Sequence, residues 1–249
     1  MGEIFSTPLS FLILLPIISF LYASVGHGGA SGYLALMSLF AFPEYQMKQT
    51  ALLLNLFVAG AAFIQFYRMG YFKKHLFLWF AIGSVPAAFW GGSLLLEPQL
   101  YKKILGGFLI LAILRMLWFP ATTSPQKQRS LPKLGALSLG GGIGFFSGLI
   151  GIGGGIILTP LLVLFKWASI REAAAVSALF IWVNSASGLV GQFSSGILLH
   201  KQAMLWVPIA FAGGWAGSYM GSKKLKNRSL EYFLALVLCI AALKLCFAQ

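Results

Sequence analysis

Gly26-His27-Gly28-Gly29 and Gly151-Ile152-Gly153-Gly154-Gly155 interrupt two long apolar runs, one in each half of the 249-residue chain. We call residues 26–29 the first break and residues 151–155 the second break. In a bilayer, free backbone N–H and C=O groups are tolerated only where they are buried in protein or line a polar cavity. Two such breaks at corresponding positions of a duplicated sequence are typical of a midplane binding site in a transporter.

The composition indicates an integral membrane protein. Hydrophobic residues make up 59% of the chain and charged residues 9%, whereas a soluble domain carries about 25% charged residues. The apolar runs are longer than the strands of about ten residues that build outer-membrane barrels, so we predict an all-α helical bundle. The net charge of +13 sits mainly in short loops, where it indicates membrane topology rather than nucleic-acid binding.

Ten apolar segments divide into two sets of five. A full span needs about 20 residues, and the second and seventh segments are much shorter. We therefore predict that each is a broken or re-entrant helix led by its break, and the pattern leaves open whether the break is a hairpin or a through-span. The segments are 8–24, 32–42, 49–67, 76–96, 104–119, 135–149, 155–165, 173–193, 203–221 and 230–247.

The two halves align as a repeat. Gly26 matches Gly151 at an offset of 125, and Asn55 matches Asn184 at an offset of 129. We predict a first transmembrane repeat over 1–119, a cytoplasmic linker over 120–133 and a second transmembrane repeat over 134–249.

Loop charges predict how the repeats are oriented. If each half crosses the membrane an odd number of times, most basic loop residues fall on one side, which the positive-inside rule places in the cytoplasm. This favours inverted repeats with both termini on the non-cytoplasmic side. The residues on the basic side are Arg68, Lys73, Lys74, Arg115, Lys127, Arg129, Lys133, Lys166, Arg171, Lys223, Lys224, Lys226 and Arg228.

The break glycines are the first candidates for substrate binding. A helix start leaves N–H groups unpaired and carries about half a positive charge, so two helix starts facing each other would form an anion site without a buried lysine or arginine. Close helix packing, which small residues also serve, is the alternative. The candidates are Gly28, Gly29, Gly153, Gly154 and Gly155.

Polar side chains near the breaks are further candidates. Asn55, Asn184 and Gln192 carry amides that could contact substrate or join helices, and Thr159 adds a hydroxyl. His27 is either a proton-sensitive gate or a structural histidine. Arg115 and Lys244 lie at equivalent helix ends, where they could draw anions to each mouth or simply extend toward the interface.

Acidic residues are absent from the predicted membrane interior. The chain has five of them, Glu3, Glu44, Glu97, Glu172 and Glu231, and all lie near segment ends. Cation-coupled carriers usually keep a carboxylate in the membrane, so coupled uptake is disfavoured. We also find no ATP-binding glycine-lysine motif and no zinc-ligand cluster. We therefore expect no enzyme activity, no cofactor and no metal. The expected partners are a small anion and the lipid bilayer, not nucleic acid, and homo-oligomerisation is left open.

At the breaks the chain resembles the sulfite exporter TauE/SafE family of membrane permeases. The stretch from Gly151 to Pro160 is similar to the family's repeated Gly-x-Gly-Gly-Gly-x-x-x-x-Pro signature. The first copy departs from it, with Ala30 in place of the third glycine and Ala35 in place of the proline. The resemblance implies outward transport of sulfite, sulfonates or related sulfur-containing anions across the bacterial plasma (inner) membrane.

Together these observations predict a polytopic helical exporter of a small sulfur-containing oxyanion. It would work by alternating access around the two breaks. The alternatives are an anion channel, a transporter of a different small anion, and a membrane scaffold or sensor without flux.

Overall fold

A computed structural model describes residues 8–118, 129–196 and 201–223, and every regular element in these ranges is an α-helix. These helices are α1 (Leu9–Ser24), α2 (Ala30–Leu39), α3 (Glu44–Arg68), α4 (Lys74–Ser93), α5 (Pro98–Trp118), α6 (Lys133–Ile150), α7 (Gly155–Leu164), α8 (Ile170–Ser194) and α9 (Lys201–Lys223). The prediction of an all-α membrane protein is confirmed, and four of the described helices, α3, α4, α6 and α8, are long and apolar enough to span a membrane. The predicted tenth segment lies outside the described residues.

Several helices start earlier than the apolar pattern predicted, among them α5, which begins at Pro98 rather than at residue 104. Helix α3 begins at Glu44 directly after Pro43, rather than at residue 49. Helix α8 begins at Ile170 rather than at residue 173, because Ser169 caps it and Glu172 completes a capping box. Acidic residues such as Glu44 and Glu172 are favourable in the first turn of a helix, so each helix extends beyond its apolar part.

Both breaks are the tips of helical hairpins. After the first break, α2 runs back along α1: the Ser19 and Tyr33 hydroxyls lie 2.9 Å apart, and the Phe11 and Phe40 ring centroids lie 5.7 Å apart. After the second break, α7 returns to the start of α6, and the Arg129 amide donates to the Lys166 carbonyl at 2.9 Å. The chain therefore turns back on itself at each break.

Helix packing is close because small residues let backbones approach. A Cβ on Gly140, Gly144 or Gly148 of α6 would overlap the carbonyls of Phe80, Ser84 and Ala88 on α4, respectively. In the same way, Gly213, Gly217 and Gly221 of α9 pack against the carbonyls of Pro16, Phe20 and Ser24 on α1. Since the residue numbers rise together in both sets, α4 is parallel to α6, and α1 is parallel to α9.

The two central helices, α3 and α8, run antiparallel. Residue numbers rise along α3 and fall along α8 in the contacting pairs, which are Leu52 with Gly188, Asn55 with Ser185 and Gly60 with Trp182. Helix α4 is parallel to α8, as shown by the pairs Val85 with Ser187, Phe89 with Gly191 and Ser93 with Ser195. Residue numbers also rise together along α3 and α9, where Leu52 lies in one apolar cluster with Ala203 and Val58 packs against Gly214. Helices α1, α3 and α9 therefore run one way, and α4, α6 and α8 run the other.

Candidate functional site

Each break contains a left-handed glycine at the N-cap of a ten-residue helix. Gly29 precedes α2 with φ of 106°, and Gly154 precedes α7 with φ of 79°. Only glycine adopts this conformation at little steric cost. No side chain caps either helix N-terminus, so the first-turn amides keep their donor capacity and the positive end of the helix dipole is not neutralised.

The two breaks meet at the same pair of side chains, Asn55 of α3 and Ile181 of α8. A Cβ on Gly28 would lie 2.9 Å from Asn55 Cγ and 3.0 Å from Ile181 Cγ2. A Cβ on Gly153 would lie 2.6 Å from Asn55 Nδ2 and 2.8 Å from Ile181 Cγ2. The absence of side chains at Gly28 and Gly153 is therefore what lets both hairpin tips reach the middle of the α3–α8 pair.

Asn55 is fully buried between the breaks. Its Nδ2 donates to Ser185 Oγ at 3.3 Å, while its Oδ1, on the side of Gly28, has no hydrogen-bond partner within the described ranges. A buried polar atom left unsatisfied costs about 1–3 kcal/mol. Because a hydroxyl can donate or accept, Ser185 matches either orientation of the amide. Asn55 can therefore offer its oxygen or its NH₂ group to a ligand at the breaks.

His27 connects the first break to the second. Its ring is buried, and a Cβ on Gly155 would lie 3.7 Å from His27 Cδ2. Its Nδ1 lies 3.2 Å from the carbonyl oxygen of Val25 in the adjoining turn. The structure thus places His27 close to Gly155, where the two breaks meet. The role of His27 there stays a prediction.

The other break glycines pack against apolar or aromatic side chains. A Cβ on Gly29 would lie 2.6 Å from the Tyr33 ring. At Gly154 the nearest atom would be Ile143 Cγ2 at 2.8 Å, and at Gly155 the Ile181 side chain would overlap it. These positions therefore require glycine because their neighbours leave no room for a side chain.

Three predicted site residues lie along α7 and α8, away from the Asn55 contact. Asn184 Nδ2 donates to the Phe180 carbonyl at 2.8 Å, and Thr159 Oγ1 donates to Ser177 Oγ at 2.8 Å. Asn184 Oδ1 and Gln192 Oε1 are buried without hydrogen-bond partners among the described residues. Thr159 therefore joins α7 to α8, and the two amides keep unused acceptors inside the bundle.

Helix bounds give Asn55 a different counterpart from the one that the sequence offset predicted. Asn55 is the twelfth residue of α3, and the twelfth residue of α8 is Ile181, whereas Asn184 is the fifteenth. Both breaks contact Asn55 and Ile181, so the point where they meet has an amide side chain on α3 and an aliphatic side chain on α8. The two halves of the site are not chemically equivalent.

Lys48 is a buried cation that the sequence pattern missed. Its Nζ donates to three carbonyls at the end of α4, those of Gly92 at 3.0 Å, Leu94 at 3.2 Å and Gly91 at 3.4 Å. The apolar run alone placed Lys48 in a loop, but α3 begins at Glu44. The Pro43–Glu44 pair, with proline before an acidic first turn, is the sequence signal that could have revealed the earlier helix start.

The roles predicted for Arg115 and Lys244 at the mouths of the pathway stay predictions. The backbone of α5 includes Arg115, and Lys244 lies beyond the described ranges. Within the described ranges, ion pairs lie at helix starts: Lys102 with Glu44 at 2.8 Å and Lys73 with Glu172 at 3.1 Å. No group of three or more histidine, cysteine or acidic side chains that could hold a metal ion occurs in the described part of the chain.

Comparison with known proteins gives a consistent result. A family model described as "Sulfite exporter TauE/SafE" matches residues 11–245. The probable membrane transporter protein y4hK of Sinorhizobium fredii is 34% identical over 236 residues, covering 92% of this chain and 94% of the relative.

Two further relatives match over shorter stretches. The probable membrane transporter protein YunE of Bacillus subtilis is 30% identical, over 42% of this chain and 38% of the relative. The probable membrane transporter protein MamO of Paramagnetospirillum magneticum is 33% identical, over 43% of this chain and 18% of the relative. No solved structure matches the chain.

Proposed function

The chain belongs to the sulfite exporter TauE/SafE family of membrane transporters, and we propose that it exports a small sulfur-containing oxyanion such as sulfite or an organosulfonate. The observation that carries the proposal is the meeting of two uncapped helix N-termini around the buried Asn55 amide. Backbone N–H groups at helix starts are donors that suit the oxygens of an anion. The orphaned amide supplies a second, independent indication that a ligand enters there.

Alternating access around the breaks is the mechanism that we propose. Counterpart long helices run in opposite directions, α1 against α6, α3 against α8 and α4 against α9. This arrangement supports a division into two inverted repeats, with the two hairpins as their equivalent moving parts. In such transporters one repeat or bundle moves against the other around a fixed midplane site.

Contacts made by basic residues at one end of the bundle support the proposed orientation. Lys73 pairs with Glu172 at 3.1 Å, and Lys133 Nζ lies 5.4 Å from the centre of the Trp79 ring. The hydrogen bond of Arg129 to Lys166 lies at the same end of α6. One end of the bundle therefore gathers these basic loops, and we propose from the positive-inside rule that this end faces the cytoplasm of a bacterial plasma membrane, with both termini on the other side.

Export of an anion needs no coupling ion. An inside-negative membrane potential supplies about 2.3 kcal/mol per charge for each 100 mV. The described acidic side chains, Glu44, Glu97 and Glu172, lie at or beside helix starts, so none of these three is placed to carry a proton or sodium ion through the centre.

The test is efflux from proteoliposomes loaded with sulfite, a C2 sulfonate, sulfate or chloride, with and without an imposed potential. We expect saturable efflux of sulfite or the sulfonate that is lost on Gly154→Ala. The matched control is Gly70→Ala, because Gly70 has a similar φ of +76° but nothing within 4 Å of an added Cβ. Unsaturable current would favour an anion channel, efflux of chloride or sulfate alone would favour another small anion, and silence for all four would refute the proposal.

A further inference from the structure

Breaking a helix frees carbonyl oxygens as well as N–H groups. Rings of backbone carbonyls bind cations in channels, so an unwound segment with both groups exposed would attract cations and anions alike. The anion transport proposed above therefore requires something to occupy the carbonyls near the breaks. Three side-chain donors in the structure do so.

In the first break the donor is Tyr33. Its hydroxyl donates to the Gly28 carbonyl oxygen at 2.9 Å, and the side chain is completely buried. Ser19 Oγ, 2.9 Å from the same hydroxyl, fixes it from the α1 side. Gly28 is also the glycine that contacts Asn55, so the masked carbonyl belongs to the residue at the centre of the site.

At the second break the donor comes from a different helix. The hydroxyl of Tyr101, in α5, donates to the Ile150 carbonyl oxygen at 2.9 Å. Ile150 is the last residue of α6 and directly precedes the break. Its carbonyl is one of the four at a helix end that lack an intrahelical partner, so Tyr101 occupies an acceptor that would otherwise be available at the base of the second break.

The third donor is Lys48, beside the second break. A Cβ on Gly151 would lie 3.0 Å from the Lys48 carbonyl oxygen, while the Lys48 ammonium donates to the carbonyls of Gly91, Gly92 and Leu94. An ammonium has three hydrogens, so these three acceptors use all of them. The negative end of α4 is thereby neutralised next to the hairpin tip.

We propose that Tyr33, Tyr101 and Lys48 determine charge selectivity by masking backbone carbonyls around the breaks, so that the unwound segments present N–H groups to the substrate and cations are excluded. This inference rests on the proposed function, because selectivity for anions matters only if the protein transports an anion. Its direct consequence, exclusion of cations, is measurable whether or not the anion is identified. The tyrosines act by occupying backbone carbonyl oxygens and need not touch the substrate.

The experiment measures Na⁺ entry into proteoliposomes with an enclosed sodium-sensitive dye, in parallel with sulfite efflux, for the wild type and for Tyr33→Phe and Tyr101→Phe. Each substitution removes one hydroxyl and no charge. The control is Tyr45→Phe, which makes the same change at a side chain that is 64% exposed. Lys48→Gln is a separate variant, since an amide donates two hydrogens and leaves one carbonyl unmasked. Thermal stability in detergent identifies the folded variants.

We expect Na⁺ entry at the protein-free background for the wild type and Tyr45→Phe. Folded Tyr33→Phe and Tyr101→Phe should raise it by about 5–150-fold, the range that corresponds to unmasking one buried acceptor. Na⁺ entry through the wild type, or background entry through every folded variant among the three, would overturn the inference. Raised Na⁺ entry in the variants, with no anion efflux from the wild type, would support the masking and refute the proposed function instead.

Discussion

Substitution of Gly28 by alanine tests whether the contact between the first break and Asn55 serves transport. The added Cβ would lie 2.9 Å from Asn55 Cγ and 3.0 Å from Ile181 Cγ2, and it would overlap Asn55 Oδ1. Gly28 does not have a positive φ, so the backbone tolerates alanine and the whole effect is steric. Overpacking of this kind costs typically about 1–3 kcal/mol.

We expect Gly28→Ala to destabilise the protein by that amount and to lower saturable efflux by about a hundredfold, because a displacement of about 1 Å in a binding group can cost that much. Efflux is measured from proteoliposomes, and stability by thermal unfolding in detergent. Gly142→Ala is the matched control. Nothing lies within 4 Å of a Cβ there, and alanine favours a helix over glycine by about 1 kcal/mol, so stability should rise slightly with efflux unchanged.

A double-mutant cycle separates packing from ligand binding. In Asn55→Ala, the amide that the new Cβ strikes is gone, so Gly28→Ala should cost less stability than in the wild type, with a coupling of about 0.5–3 kcal/mol. Efflux should stay low in the double variant because the amide is still missing. Wild-type efflux from folded Gly28→Ala would show that the contact with Asn55 does not serve transport, and full recovery in the double variant would show that transport does not need the Asn55 amide.

Three further predictions concern packing, ion pairs and topology. Gly148→Ala should destabilise the protein by about 1–3 kcal/mol or more, measured by thermal unfolding. The reason is that the added Cβ would overlap the Ala88 carbonyl and lie 2.8 Å from the Gly92 nitrogen. Wild-type stability of this variant would refute the tight packing of α4 against α6. Lys73→Met breaks an ion pair whose lysine side chain is 44% exposed, so the free energy of unfolding should fall by less than about 1 kcal/mol with unchanged efflux, and a large loss of efflux would instead make the pair a gate. The third prediction uses a variant in which Cys239 and Cys246 are replaced by serine, with a new cysteine at one of two exposed positions, Leu95 or Met69. A membrane-impermeant maleimide should label Leu95→Cys in intact cells and Met69→Cys only after permeabilisation. The opposite labelling pattern would reverse the proposed orientation.

Glycine chemistry made the breaks predictable from the sequence. A short apolar helix after several glycines requires left-handed backbone, and Gly29 and Gly154 adopt it. The counterpart helices α2 and α7 both contain ten residues, and α3 and α8 both contain 25. Local backbone preference and segment length are properties of the chain itself, so they can be deduced without knowing which helices become neighbours.

Side-chain partners were not predictable in this way. Apolar runs in a bilayer do not specify which face of a helix meets which neighbour, because lipid and protein interior are both apolar. The burial of Lys48 depends on the end of α4 lying opposite it, and the hydroxyl of Tyr101 reaches a helix 49 residues away. Similarly, the offset that matched Asn55 with Asn184 ignored the helix starts, which pair Asn55 with Ile181.

Helix lengths match between the two proposed repeats, with ten residues in α2 and α7 and 25 in α3 and α8, but the side chains at corresponding positions differ. The fifth residue of α3 is Lys48 and the fifth residue of α8 is Ala174, and each is contacted by the first glycine of the opposite hairpin, Gly151 and Gly26. A carrier with this asymmetry has two unequal access states, so substrate affinity should differ between the two membrane faces. The direction of net transport does not follow from that difference, because any carrier obeys the substrate gradient and the membrane potential. In the proposed exporter, the asymmetry sets the substrate concentration at which each face saturates, and the membrane potential acting on the anion's charge sets the direction.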